Sequence, residues 1–155
     1  MVRALRFYLF VACAALTGCG GGGGGLPKRI NPPVASVQQL RALPDGRWEL
    51  DLRLQNFSTV PMTFGTIEAD LRIGETSAGP IFLQTDIEIA GQYADVVSTT
   101  LSPSAAAREA MAGAKGGEIP YRLVGSISAS KPDKRFPFDH ASRLAPVPGV
   151  PNTYR

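Results

Sequence analysis

Residues 34–145 predict an all-β fold: an immunoglobulin/fibronectin-III-like antiparallel β-sandwich with one short helix, and a small β-barrel as the alternative closure. Three observations carry that expectation. Apolar residues recur with period two along most of the stretch, the spacing of strands with one buried face. Gly, Pro, Asn and Asp punctuate the runs at short intervals. Only one segment is rich in helix formers without alternating.

The clearest strand is RWELDLRLQ, residues 47–55. Trp48, Leu50, Leu52 and Leu54 fall on one face, with Arg47, Glu49, Asp51, Arg53 and Gln55 on the other. Ala35 to Arg41 is a weaker strand before it, and Pro44-Asp45-Gly46 closes the two into a hairpin. In MTFGTIEADLRIGE, Met62, Phe64 and Thr66 alternate, then Ile67, Ala69, Leu71 and Ile73. The phase slips by one residue, which predicts a bulge near Gly65. Gly74-Glu75 is a turn, and Thr76 to Leu83 a short edge strand broken at Gly79-Pro80.

Between residues 76 and 101 the register stays open. Ala94 and Val96 suit one phase, and Val97, Thr99 and Leu101 the other. The helix is expected over Ser104 to Ala112, with Ser102 as its cap, Pro103 at its first position and Gly113 as its stop. Ile119, Tyr121, Leu123 and Gly125 form the next strand, continued by Ile127, and Phe136, Phe138 and Leu144 the last. The count is six or seven strands. Residues 146–155, PVPGVPNTYR, are expected to stay outside the sheets as a proline-rich mobile tail.

Ahead of this domain the chain changes character. Residues 1–18 read as a signal peptide. Arg3 and Arg6 give it a positive start, Phe7 to Leu16 form an apolar run of ten residues, and Thr17 and Gly18 are small. That run is too short to span a bilayer, which takes roughly 20 residues. Leu16-Thr17-Gly18-Cys19 resembles a bacterial lipobox. The resemblance implies cleavage between Gly18 and Cys19 and a lipid on the Cys19 thiol. Of the two cysteines, Cys13 then leaves with the leader, so the mature domain holds no disulfide. Residues 19–33 follow as a lipidated Gly/Pro tether, Gly20 to Gly25 being six consecutive glycines. Fourteen residues of free coil at about 5–6 Å × √n reach roughly 20 Å. Gly20, in place of an aspartate next to the anchor, implies the outer membrane by analogy with enteric lipoproteins.

Removing Arg3 and Arg6 from the 16 basic residues leaves a nearly neutral chain against 13 acidic ones. No nucleic-acid partner is expected from that balance. Among candidate chemical groups, His140 is the sole histidine, and Asp139 beside it points to the other face of a strand. Glu68 and Asp70, and Asp86 and Glu88, share faces at two-residue spacing. They suit a cation or an acid–base pair, and equally the wet face of a sheet. Lys131, Lys134 and Arg135 form a basic turn around Pro132-Asp133 that can contact an anionic surface. Catalytic, metal and cofactor residues are expected to be none.

The order of features over about Pro33 to Leu144 resembles the late-embryogenesis-abundant type-2 family, also called the water-stress-and-hypersensitive-response (WHy) domain. Carrying the resemblance are Leu52-Arg53-Leu54-Gln55-Asn56, the strand Ile67 to Gly74 with its glycine turn, and Ile119-Pro120-Tyr121-Arg122-Leu123-Val124-Gly125. The family's Asn-Pro-Asn is here Asn56-Phe57-Ser58, so only Asn56 matches. Asparagine suits that spot by tolerating a left-handed backbone and by bonding its own backbone. The resemblance implies a non-enzymatic stress- or desiccation-protection module. With the lipobox it implies a membrane-anchored protein of the bacterial cell envelope, facing the periplasm, that binds an envelope protein or an apolar ligand. An assembly or scaffolding lipoprotein that captures a partner by β-augmentation is the alternative, and a small hydrolase or metal-binding protein a third.

Overall fold

The computed structural model describes residues 27–114 and 116–155. The signal peptide, the glycine run and Cys19 lie outside the described residues. Among the described residues, eight strands and one helix follow in order. These are β1 (Val34–Ala42), β2 (Trp48–Gln55), β3 (Met62–Ile73), β4 (Thr76–Ile89), β5 (Ala94–Leu101), α1 (Ala105–Gly113), β6 (Ile119–Lys131), β7 (Asp133–Leu144) and β8 (Thr153–Tyr154). They form two antiparallel four-stranded sheets, ordered β5-β2-β1-β8 and β4-β3-β6-β7, packed face to face. This is the sandwich that the alternation predicts, and neither sheet closes into a barrel.

The core is the sum of the inward phases. Leu50, Leu52 and Leu54 of β2 are fully buried, and Trp48 nearly so. They meet Phe64, Ile67 and Leu71 of β3 and Leu123 and Ile127 of β6, all inaccessible to solvent. Burying each such side chain contributes roughly 1.5–3 kcal/mol. The phase slip at Gly65 is a register shift between Phe64 and Thr66, which keeps Phe64 and Ile67 both inward.

Two glycine and tyrosine positions lock the sheets. At Gly125 an added Cβ would lie 2.0 Å from the Glu68 carbonyl oxygen and 2.6 Å from the Ala69 Cα. Strands β3 and β6 therefore approach each other too closely there for any side chain. Tyr121 reaches from β6 across to β1, where a register shift between Val37 and Gln39 frees backbone groups. Its hydroxyl accepts from Val37 N at 3.1 Å and lies 3.4 Å from Val37 O. Burial pushes the phenol above its ordinary pKa, so it stays a neutral hydroxyl.

Three expectations are corrected, and the β5 register left open by the sequence is decided. First, β4 is not broken at Gly79-Pro80 but runs unbroken for 14 residues. A second register shift, between Leu71 and Arg72, absorbs the irregularity, and β4 is an edge strand, where a residue without an N–H is tolerated. Strand β5 takes the Val97, Thr99 and Leu101 phase inward, because its partner β2 presents Leu52, Leu50 and Trp48 opposite those residues.

Second, the helix cap is Ser104, not Ser102. Ser104 Oγ accepts from Ala107 N at 3.1 Å and donates to Ser77 O at 2.7 Å, and Ser104 N donates to Ala78 O at 2.9 Å. The cap is set by the neighbouring strand β4, which Pro103 cannot dictate from one residue upstream. The helix runs through Gly113 and ends at Ala114 in a right-handed conformation. Third, the C-terminal segment joins a sheet as β8. Pro146, Pro148 and Pro151 lie before β8, and Thr153-Tyr154-Arg155 carries free N–H groups. Leu40 and Arg41 of β1 pair with Tyr154 and Thr153, and Arg155 exchanges backbone bonds with Ala145.

The Gly125 contact generates a direct test. Gly125→Ala is expected to force β3 and β6 apart and to cost about 3 kcal/mol, the upper end for overpacking. A lowered midpoint in chemical denaturation checks it. An unchanged midpoint would mean that the two strands separate freely.

Candidate functional site

The most elaborate polar arrangement lies at one end of the sandwich, where β2 gives way to β3. Asn56 follows the alternating leucines of β2 directly and is completely buried. Its Nδ2 donates to three carbonyls: Val60 O and Ile89 O at 2.9 Å and Ala90 O at 3.1 Å. Its Oδ1 accepts from Ser58 N at 2.9 Å. One side chain therefore ties the end of β2, the turn into β3 and the end of β4. It does so through its amide, and Asn56 is not among the non-glycine residues with positive φ, which are Gln92 and Asn152. Of the two reasons for an asparagine here, backbone bonding is the one at work.

The turn that Asn56 organises receives the N-terminal segment. Ser58, also fully buried, accepts from Asn31 N at 2.9 Å and lies 3.2 Å from Met62 Sδ. Thr59 N donates to Arg29 O at 3.0 Å, and Thr59 Oγ1 accepts from Arg29 N at 2.8 Å and donates to Pro27 O at 2.7 Å. Asn31 Nδ2 donates to Phe57 O at 2.8 Å. Pro27, Arg29 and Asn31, expected as part of a free tether, thus hydrogen-bond to the domain. From the other side Gln92, in a left-handed conformation, donates through N and Nε2 to Ser58 O. A Cβ at Gly91 would lie 2.6 Å from the Thr59 carbonyl carbon, so the β4–β5 connection packs flat against the same turn.

The residues considered for chemistry lie elsewhere and apart. Glu68 and Asp70 share the outer face of β3 but turn to opposite neighbours. Glu68 pairs with Arg135 at 2.5 Å, and Asp70 accepts from Ser77 Oγ at 2.6 Å. Asp86 and Glu88 are exposed on the outer face of β4. Asp139 faces outward in a bidentate pair with Arg122, whose guanidinium hydrogen bonds hold the carboxyl below its usual range. His140 points the other way, half-buried, with its ring centroid 6.1 Å from that of Tyr121. Among the described residues no cluster of three metal-ligating side chains occurs. Trp48, Phe64, Met62 and the leucines of β2 are packed between the two sheets.

In the basic turn between β6 and β7, Lys134 stands over the Phe136 ring at 5.1 Å, and Arg135 is taken up by Glu68 and Ser126. Lys131 is exposed at the tip. Thr63 pairs with Lys131 and Met62 with Ile89, so this turn lies at the Asn56 end of the sandwich. Asn56 and Lys131 are far apart in the sequence, and the fold brings them to one end. The docking of residues 27–31 went unread, although the hydroxyls of Ser58 and Thr59 directly after Asn56 were a signal for a backbone-binding turn.

Comparison with known proteins places the fold. No family model matches the chain, and no curated protein matches it. Among solved structures, a solution structure of an Arabidopsis thaliana protein is similar at 10% identity, with a TM-score of 0.58, over 80% of this chain and 88% of that one. A crystal structure of an Archaeoglobus fulgidus protein is similar at 12% identity and a TM-score of 0.44, covering 77% and 98%. A solution structure described as a candidate late embryogenesis abundant (LEA) protein is similar at 15% and 0.47, covering 76% and 72%. At these identities the likeness is one of fold.

Two expectations follow. Asn56→Ala leaves three carbonyls and one N–H without their partner and is expected to cost about 3 kcal/mol or more. Asn56→Asp keeps the acceptor for Ser58 but turns a carboxylate toward three carbonyls, so it should be no more stable than the alanine variant in denaturant titration. The pH dependence has a definite sign. Asp139 has a lowered folded-state pKa, so its contribution is present above the ordinary value of 3.8 and is lost as pH falls through the folded value. An NMR titration of Asp139 should return to the ordinary range in Arg122→Gln.

Proposed function

We propose that this chain is a non-catalytic module of the bacterial cell envelope, held to the outer membrane by a lipid on Cys19 and facing the periplasm. Its role would be protective or ligand-binding in the manner of stress-protection domains. The observation that carries this reading is the lipobox-like Leu16-Thr17-Gly18-Cys19 standing eight residues ahead of a segment already bound to the sandwich. That arrangement suits a domain suspended from a membrane by one defined end. The sequence resemblance to the LEA type-2 family supports the protective role, and the likeness of fold to the Arabidopsis thaliana structure is consistent with the same sandwich.

The non-catalytic part rests on what the carboxylates are doing. Glu68, Asp70 and Asp139 are each engaged by a neighbouring side chain on an exposed sheet face. Such positions give neither the burial nor the convergence that tunes an acid–base pair.

A second reading, a scaffold that binds a protein partner by β-augmentation, is favoured by β5. Among the described residues this eight-residue edge strand pairs with β2 alone, and its sequence ADVVSTTL holds no proline and no basic residue. Edges left without such blocking residues can accept another strand.

Cys19→Ser is expected to abolish acylation and release the protein from the membrane fraction. Intact mass spectrometry of the native N-terminus reads this directly: an uncut leader, or a trimmed chain without fatty acid, removes the proposal. Survival of a deletion strain after desiccation tests the protective role, and survival equal to that of the parent strain would count against it. A stoichiometric protein partner that is lost when β5 carries Val96→Pro would favour the scaffolding reading.

A further inference from the structure

We propose that the Asn56 end of the sandwich is a membrane-contacting surface, on which Ile30, Phe57 and Tyr93 enter the headgroup region of the bilayer that anchors the chain. This rests on the lipid anchor proposed above and adds an orientation to it.

Three large apolar side chains stand exposed at this one end: Ile30 at 51%, Phe57 at 46% and Tyr93 at 68%. Their backbones are brought together by the Asn56 network. Phe57 O accepts from Asn31 Nδ2 and from Gln92 Nε2, and Tyr93 O accepts from Asn56 N. Single exposed apolar residues are ordinary. Here an aromatic pair and an isoleucine share the end from which the chain leaves toward Cys19, with Lys28 and Arg29 exposed beside them. Tyr93, an aromatic ring with a polar hydroxyl edge, flanked by basic residues, is of the kind that settles at a membrane–water interface, and Phe57 and Ile30 add apolar surface beside it.

The leash supports the same orientation. Because residues 27–31 are docked, the stretch from Cys19 to Pro27 is all that separates the lipid from the domain. Eight residues span at most about 26–29 Å. Strand β1, nine residues long, covers about 30 Å from this end to the other. The leash is therefore no longer than the sandwich, and the Asn56 end is the surface that it holds nearest the bilayer. The helix α1 and the loop containing Val150 lie at the opposite end. Val34 pairs with Gln55 at the near end, whereas Ala42 bonds Asn152 at the far one.

Charge plays the smaller part. Asp95 and Asp133 lie at the same end as Lys28, Arg29 and Lys131 and offset much of their attraction. The contact is carried by the apolar residues.

The test uses the full chain, acylated in a lipoprotein-processing host, with the fatty acid verified by mass spectrometry. The protein is then placed in phosphatidylethanolamine/phosphatidylglycerol vesicles. Phe57→Cys, Tyr93→Cys and, as a far-end control, Val150→Cys each receive an environment-sensitive fluorophore. Cys19 is blocked by its lipid and Cys13 leaves with the leader, so each label is unique. Nitroxide-bearing lipids are expected to quench the labels at 57 and 93 but not at 150. Phe57→Asp is expected to abolish the quenching at 93, with the circular dichroism unchanged because Phe57 is outside the core. Quenching should persist in phosphatidylcholine vesicles.

Equal quenching at all three sites, or none, overturns the proposal with the anchor intact. Quenching confined to anionic vesicles overturns the apolar contact, and shielding of the labels only after envelope extract is added assigns this end to a protein partner instead. A Cys19 without fatty acid overturns the anchor reading itself, and this orientation with it.

Discussion

The arrangement on which the rest of this molecule depends is a single buried amide. A sandwich has two ends where the chain must cross between sheets, and each crossing leaves backbone groups that no ladder can pair. At one end Asn56 collects such groups: the carbonyls of Val60 and Ala90 from two connections, that of Ile89 at the end of β4, and one N–H from the turn that it begins. Buried polar groups are costly when unpaired and restrictive when fully paired. That restriction gives this end one definite shape. On it rest the position of Ser58 and Thr59, and through them the course of residues 27–31.

The consequence for function comes through geometry rather than chemistry. A lipid anchor followed by a free coil would let the domain face any direction. Binding residues 27–31 to the Thr59 turn fixes the point at which the chain joins the sandwich. In the anchored arrangement proposed above, the surface turned toward the membrane would then be set by the same hydrogen bonds that hold residues 27–31. The outward carboxylates fit a supporting role. Asp139–Arg122 ties the neighbouring strands β7 and β6, and Glu68–Arg135 reaches from β3 across β6 to β7, on a solvated face where exposed ion pairs contribute little to stability.

Much of the architecture was legible because its signals are local. The alternation of Trp48, Leu50, Leu52 and Leu54 specifies a strand and its buried face wherever that strand ends up. The slip between Phe64 and Ile67 specifies a bulge because both residues must reach the core. Less was legible where two phases were equally apolar, as between Val96 and Val97. There the choice belonged to β2, which offered leucines to only one of them. The helix cap differs for a related reason: Ser102 and Ser104 are both capping residue types, and the carbonyls of Ser77 and Ala78 on β4 bind only Ser104.

The sequence by itself determined the all-β class, most strand positions, the inward residues, and a lipobox-like Cys19 ahead of a glycine run. All of these follow from short-range periodicity or from contiguous motifs. The tertiary structure alone decided the pairing of β2 with β5 and of β3 with β6, the recruitment of the proline-rich C-terminus as β8, and the capture of residues 27–31. Each of these is a hydrogen-bonding choice between segments far apart in the chain. Backbone donors and acceptors are the same at nearly every residue, so the sequence does not mark their partners. Only when the apolar faces had packed were the free N–H of Arg155 and the hydroxyl of Thr59 brought opposite the groups that they bind.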